Sequence, residues 1–150
     1  MEILPAHSNH ASQLTQITIA AKRHWDYPEA WIQLWIPKLT ITPEYIQTHE
    51  TWVAVVENAP VAYYSFDGNE GGFWLDHLWV LPEYIGLGIG KSLFGHALER
   101  CKWQGVSVLK IEADPNAQGF YERMGARKVS EHHTEVDGSP RNLPVMEIEL

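Results

Sequence analysis

Gly86-Leu87-Gly88-Ile89-Gly90-Lys91-Ser92 joins a strand pattern to a helix pattern, and its reading decides the fold. Before it, Phe73-Trp74-Leu75-Asp76-His77-Leu78-Trp79-Val80-Leu81 is rich in β-formers. After it, apolar residues recur at Ile89, Leu93, Phe94, Ala97, Leu98 and Cys101, the spacing of one helix face. Glycines at such a junction let the backbone pass close to a ligand. The new helix aims its free N–H groups, and the positive end of its dipole, at whatever sits there. An anion, most often a phosphate, is the natural guest.

Spacing narrows the guest. A nucleotide-hydrolysing P-loop needs four residues between its first glycine and the Gly-Lys-Ser end. Here only Leu87, Gly88 and Ile89 separate Gly86 from Gly90-Lys91-Ser92, and Ile85 stands where that first glycine belongs. A dinucleotide fingerprint needs glycines at its first, third and sixth positions. Gly86 and Gly88 fit, but Lys91 holds the sixth. Each pattern fails by one residue, and the spacing is not tolerant because it sets which amides converge.

Outward from the turn, Met1-Glu2-Ile3-Leu4 reads as a short strand. Ser8 or Asn9 is placed to cap a helix with Leu14, Ile17 and Ala21 on one face. A second helix opens at Pro28 and runs through Trp31, Leu34 and Trp35 to about Pro37. Thr42-Pro43-Glu44 starts a short third. Thr51–Val56 and Val61–Phe66 then flank a hairpin turn at Glu57-Asn58-Ala59-Pro60, and Asp67–Gly72 reads as a loop. Beyond the helix that ends near Gly105, Val106–Ile111 suits a buried parallel strand. Pro115 opens a helix that closes at Gly125. Lys128–His133 and Leu143–Leu150 are the final strands, joined through Asp137–Pro140. The expected architecture is α/β (α+β): a single domain, residues 1–150, with a mixed, mostly antiparallel sheet flanked by helices on both faces.

The 150 residues suffice for one sizeable core, and 45% apolar with 20% charged is ordinary for a globular domain. The pattern shows neither a membrane-spanning run nor a secretory leader, so a cytoplasmic address is expected, with no membrane partner. A net charge of −8 argues against a nucleic-acid partner. Residues 1–75 hold three Lys/Arg against eight Asp/Glu, which favours a cationic partner on that side. Cys101, the single cysteine, falls on the apolar helix face, where a buried inert thiol is expected. The histidines lack metal-ligand spacing, so no metal is assigned.

The run Val80–Leu93, with Gly86, Gly88 and Gly90 at its helix start, resembles the acetyl-CoA motif Arg/Gln-x-x-Gly-x-Gly/Ala of the GNAT superfamily of N-acetyltransferases. Glu112–Ala126, with Phe120-Tyr121-Glu122-Arg123-Met124-Gly125, resembles the family's second cofactor segment. The likeness covers about residues 50–130. It implies acetyl-CoA as co-substrate and direct transfer to a primary amine of a small molecule or peptide; a homodimer through the C-terminal strands is plausible by the same resemblance alone. A domain that binds acyl-CoA as a sensor or scaffold, with little catalysis, is the alternative. Two departures stand out: Ile85 where the family usually has Arg or Gln, and Asp114 where many members have Asn.

By that resemblance, Leu78, Trp79 and Val80 pair with the pantetheine arm, and Val80 N–H or a neighbour faces the oxyanion. Ile85, Gly86, Leu87, Gly88, Gly90, Lys91 and Ser92 surround the pyrophosphate, with Lys91 supplying a cation. Asn116 and Phe120 complete the cofactor set, Asn116 serving either the cofactor or a helix cap. Tyr121 sits where the family places the acid that protonates the departing thiolate. Asp76 is the first choice for the base that deprotonates the amine; His77, Glu112 and water are the others. Strand alternation puts Trp74, Asp76 and Leu78 on one face and Leu75, His77 and Trp79 on the other. His24, Trp25, Asp26 and Tyr27, at a helix break, are read either as the acceptor-pocket wall or as packing aromatics.

Overall fold

The computed structural model describes residues 1–150. Along the chain run β1 (Glu2–Pro5), a 3-10 turn (Ser8–His10), α1 (Ala11–Arg23), α2 (Glu29–Leu39), α3 (Pro43–Thr48), β2 (Thr51–Val56), β3 (Ala59–Asn69) and β4 (Gly72–Val80). There follow α4 (Ile89–Trp103), β5 (Val108–Glu112), α5 (Gln118–Arg123), β6 (Arg127–Val136) and β7 (Ser139–Glu149). The strands form one seven-stranded sheet in the order β1-β2-β3-β4-β5-β7-β6. Every neighbouring pair is antiparallel except β4 with β5.

Alternation along the central strands makes two cores. Ala54, Ala62 and Tyr64 face α4, where Ile89, Leu93, Phe94, Ala97 and Cys101 form its buried stripe. Val53 and Tyr63 face the other way, onto Ala11, Leu14 and Ile17 of α1. Tyr63 and Tyr64, adjacent in sequence and wholly buried, thus anchor opposite faces of the sheet. Cys101 is buried in the α4 core, and burial pushes its thiol up to about 11, as expected of an inert cysteine. No helix is long and apolar enough to cross a membrane.

Turn chemistry sets the hairpins. Glu57 and Asn58 (φ 50° and 66°), like Asp137 and Gly138 (φ 49° and 78°), take the paired left-handed conformations of a two-residue connection. Thr42 caps α3, its hydroxyl accepting from Tyr45 N–H at 3.0 Å. Three expectations need correction. The loop at Asp67–Gly72 is mostly ladder, with Asp67 opposite Trp74, Gly68 opposite Phe73 and Asn69 opposite Gly72. The final hairpin is longer than its apolar residues suggest, since β6 and β7 pair from Arg127 to Val136. In both places backbone hydrogen bonding extends the strands past the last core side chain, where polar residues simply reach solvent.

The third correction concerns β4. Ser65 lies opposite His77 and Phe66 opposite Leu75, so Asp76 is an extra, bulged residue. A bulge breaks the period of two. Leu75, Leu78 and Val80 therefore share the α4 face, whereas Trp79 packs toward α1 with His77 beside Tyr63. Leu78 does not share a face with Trp74 and Asp76, and His77 is not separated from Asp76 by the sheet. His77 Nε2 lies 3.8 Å from Asp76 Oδ2.

Candidate active site

Strands β4 and β5 share two register pairs, Trp74 with Lys110 and Leu75 with Ile111, and then diverge. A cleft of about 510 Å³ opens between them. Leu81 N–H bonds Val61 C=O at 2.8 Å, so position 81 faces β3 and, by alternation, Val80 turns its N–H and C=O away from β3. Leu78 does the same. The cleft therefore has an unpaired strand edge on one wall, a partner for a ligand that carries amides.

The glycine turn closes one end. Gly86 (φ 84°) and Gly88 (φ 82°) adopt left-handed backbone, and a Cβ at either would meet nothing within 4 Å. Glycine is needed here for conformation rather than space. Gly90 packs under Phe120, whose ring would lie 3.5 Å from an added Cβ. The first helical bond of α4 is Ser92 N–H to Gly88 C=O, leaving the preceding amides free. This arrangement fits a pyrophosphate, and the strand edge beside it fits a pantetheine arm. Leu78, Trp79, Val80, Ile85, Gly86, Gly88, Gly90, Lys91, Asn116 and Phe120 all line the cleft. Leu87 is 68% exposed and lies outside the lining, as does Ser92.

At the other end stand Asp76, Glu112, Trp25 and Trp79. Asp76 Oδ2 accepts a hydrogen bond from the Tyr45 hydroxyl, which also contacts Ser65 Oγ at 2.7 Å. Burial, reinforced by the bond to Asp76, raises the Tyr45 phenol far above its ordinary range, so it stays a donor. Trp79 Nε1–H donates to His77 Nδ1 at 2.9 Å. Indole nitrogen only donates, so the His77 proton resides on Nε2, the atom facing Asp76. Burial also lowers the His77 pKa, outweighing the pull of Asp76. His77 is thus held neutral with neither nitrogen free to take a proton. Glu112 Oε1 lies 3.1 Å from His132 Nδ1.

Tyr121 lines the middle of the cleft and is only 6% exposed. Burial and then the Asp114 charge push its phenol well above the ordinary value, so it is a proton donor throughout the neutral range. Asp114 itself is the hub of a cluster. Its carboxylate takes Lys22 Nζ at 2.7 Å, Arg141 Nη2 at 3.3 Å, the Tyr27 hydroxyl at 3.0 Å and Asn116 N–H at 2.9 Å. Burial alone would raise the Asp114 carboxyl, but Lys22, the Asn116 amide and Tyr27 together hold it below the usual carboxylate range. Lys22 also lies over Trp35, 4.5 Å from the ring centroid. Asn116 Nδ2 is engaged with Tyr27 and Asp114, both at 3.0 Å.

Of the four residues at the helix break, Trp25 lines the cleft, whereas His24, Asp26 and Tyr27 do not. Tyr27 belongs to the Asp114 cluster, and its phenol is raised to about 12 by burial and the Asp114 charge. Sequence reading missed Tyr45, Lys22, Arg141 and Arg123. The first three act through contacts between distant segments and leave no local signal. Arg123 follows Gly119 by one helical turn in the second cofactor segment, which is a signal that could have been read.

An acetyltransferase (GNAT) domain model matches residues 29–149. Over 94 residues the chain is 37% identical to an acetyltransferase candidate of Bacillus subtilis (strain 168), covering 61% of either protein. It is 28% identical over 109 residues to the peptidyl-lysine N-acetyltransferase YjaB of Salmonella typhimurium (strain LT2), covering 72% of this chain and 70% of that one. The matched stretch thus spans about two thirds of these relatives. The fold superposes on the PaiA N-acetyltransferase of Thermoplasma acidophilum, solved with coenzyme A, with a TM-score of 0.80 at 19% identity, covering 99% and 98% of the two chains. The chain belongs to the GNAT acetyltransferase family, and that membership makes it an acyltransferase.

Proposed function

We propose that this chain moves an acetyl group from acetyl-CoA to a primary amine by direct attack within a ternary complex. The observation that carries the reading is Tyr121. A buried phenol, kept protonated and lacking any protein hydrogen-bond partner, faces a cleft whose one end offers free amides and whose other end offers carboxylates.

Acetyl-CoA supplies the activated acyl carbon and a thiolate leaving group. The Gly86–Lys91 amides and the dipole of α4 hold its pyrophosphate. The free edge at Leu78 and Val80 aligns the pantetheine arm, and Val80 N–H, turned into the cleft, donates to the developing oxyanion. Asp76 takes the ammonium proton so that the neutral amine can attack. Tyr121 donates its phenol proton to the departing sulfur and recovers the second proton that the nitrogen sheds as the amide forms. Trp25 and Trp79 wall the acceptor, and the carboxylates at that end favour a cationic one, such as a lysine side chain or a free amine.

Free thiol release from acetyl-CoA across a panel of amines tests this. Release above background for at least one amine, abolished by Tyr121→Phe while coenzyme A still binds, supports it. Tight coenzyme A binding with no release for any amine overturns it in favour of an acyl-CoA sensor.

A further inference from the structure

The cleft wall carries two basic side chains, Lys91 and Arg123, and both are exposed. Elsewhere the arginines of this chain are paired: Arg23 with Glu29, Arg100 with Glu50, Arg127 with Glu149 and Arg141 with Asp114. Arg123 alone takes no carboxylate and no protein hydrogen bond, although the chain holds 19 Asp/Glu to 11 Lys/Arg. In a chain with a surplus of acids, a guanidinium that stays unpaired at a cleft is available to an anion from outside.

Its position is set by Gly119. A Cβ there would lie 3.3 Å from Arg123 Nη1, tighter than an ordinary contact, so the bare glycine leaves room for the guanidinium to fold back one turn along α5. The next residue, Phe120, packs on Gly90 in the first turn of α4. The guanidinium and the glycine-turn amides thereby border the same cavity. Within the turn, Ile85 is apolar, 46% exposed and part of the cleft lining, so it offers an anion no side-chain donor.

We infer that Arg123 grips a phosphate of acetyl-CoA and supplies, from α5, the side-chain contact that the glycine turn lacks at Ile85. A guanidinium presents forked donors matched to phosphate oxygens, and its charge strengthens each bond. Lys91 supports it as a point charge. This inference rests on the cleft being the acetyl-CoA site proposed above.

Titration calorimetry at low salt with acetyl-CoA, and separately with dephospho-CoA, tests it on wild type, Arg123→Gln and Arg123→Lys, with thermal melts confirming that each variant is folded. Arg123→Gln is expected to weaken acetyl-CoA roughly tenfold, the scale of one charged hydrogen bond, and Arg123→Lys less. The deficit shrinks as salt is raised. A deficit that persists with dephospho-CoA assigns the guanidinium to the pyrophosphate; one that disappears assigns it to the 3′-phosphate, and either supports the inference. Folded Arg123→Gln that binds within twofold of wild type overturns it. Wild type that fails to bind acetyl-CoA instead overturns the cofactor reading itself, so the two failures are told apart.

Discussion

Trp79 Nε1–H donates to His77 Nδ1 at 2.9 Å, and this bond orders the roles of two neighbouring titratable groups. His77 is fixed as the Nε2–H tautomer facing Asp76. A free imidazole titrates nearer neutrality than a free carboxylate, but burial lowers the His77 pKa, and Asp76 keeps the free lone pairs and the cleft exposure. Asp76→Asn is expected to lower kcat/KM for the amine by about 100-fold, the scale of a lost general base. His77→Gln, which keeps an amide beside Asp76, is expected to lower it by roughly tenfold or less. A larger loss from His77→Gln than from Asp76→Asn would reverse the assignment.

His77 also makes stability depend on pH. Its folded pKa lies below the unfolded 6.5, so the unfolded chain binds the proton more readily. The neutral form's contribution is whole above pH 6.5 and is lost as pH falls toward the folded value. Melting temperatures measured from pH 7.5 to pH 5 should fall less steeply for His77→Gln than for wild type.

Tyr121→Phe removes only the hydroxyl. Turnover is expected to fall by about 100-fold, as for loss of a general acid. Coenzyme A affinity should stay within about threefold, because the ring contacts with Phe94 and Phe120 remain. Steady-state kinetics beside calorimetric binding would check the split. Equal turnover in the two proteins would remove Tyr121 from the chemistry.

Asp114→Asn leaves two buried cations sharing no countercharge. A loss of about 3 kcal/mol is expected, the scale for breaking a buried pair from one side. For a domain of this size that is roughly 6–12 °C in Tm. The folded pKa of Asp114 lies below the unfolded 3.8, so its stabilisation is present above pH 3.8 and disappears as pH falls through the folded value. The melting difference between variant and wild type should therefore narrow below pH 3.8.

Gly88→Ala forces a side chain into φ 82° and is expected to cost about 1 kcal/mol from backbone strain alone. Gly90→Ala, whose Cβ would sit at ordinary contact distance from Phe120 within α4, should be neutral or stabilising. Chemical denaturation of the two variants separates conformation from space as the reason for each glycine.

The glycine-turn end of the cleft was legible because its determinants are consecutive. Glycine spacing, the strand before it and the helix after it lie within one short stretch, and the Phe120-Tyr121 segment repeats the logic on α5. The acceptor end was not. The bulge at Asp76 is fixed by the register between β3 and β4, which no residue in β4 announces, and it moves every later side chain to the other face. Tyr45 reaches Asp76 across 31 residues and Lys22 reaches Asp114 across 92, so neither contact leaves a periodic trace. The long hairpins were understated for a different reason: apolar periodicity reports which residues meet the core, whereas the ladder continues on backbone bonds alone.

Asp114 joins Lys22 of α1 to Arg141 of β7, and Lys22 lies ahead of the family-matched residues 29–149. The three positions therefore cannot drift independently. A change of Asp114 to Asn leaves Lys22 and Arg141 without their countercharge, and loss of both cations strands a buried anion. Among descendants of this chain, an aspartate at 114 and basic residues at 22 and 141 should be inherited as one compensated set, traceable in sequences alone.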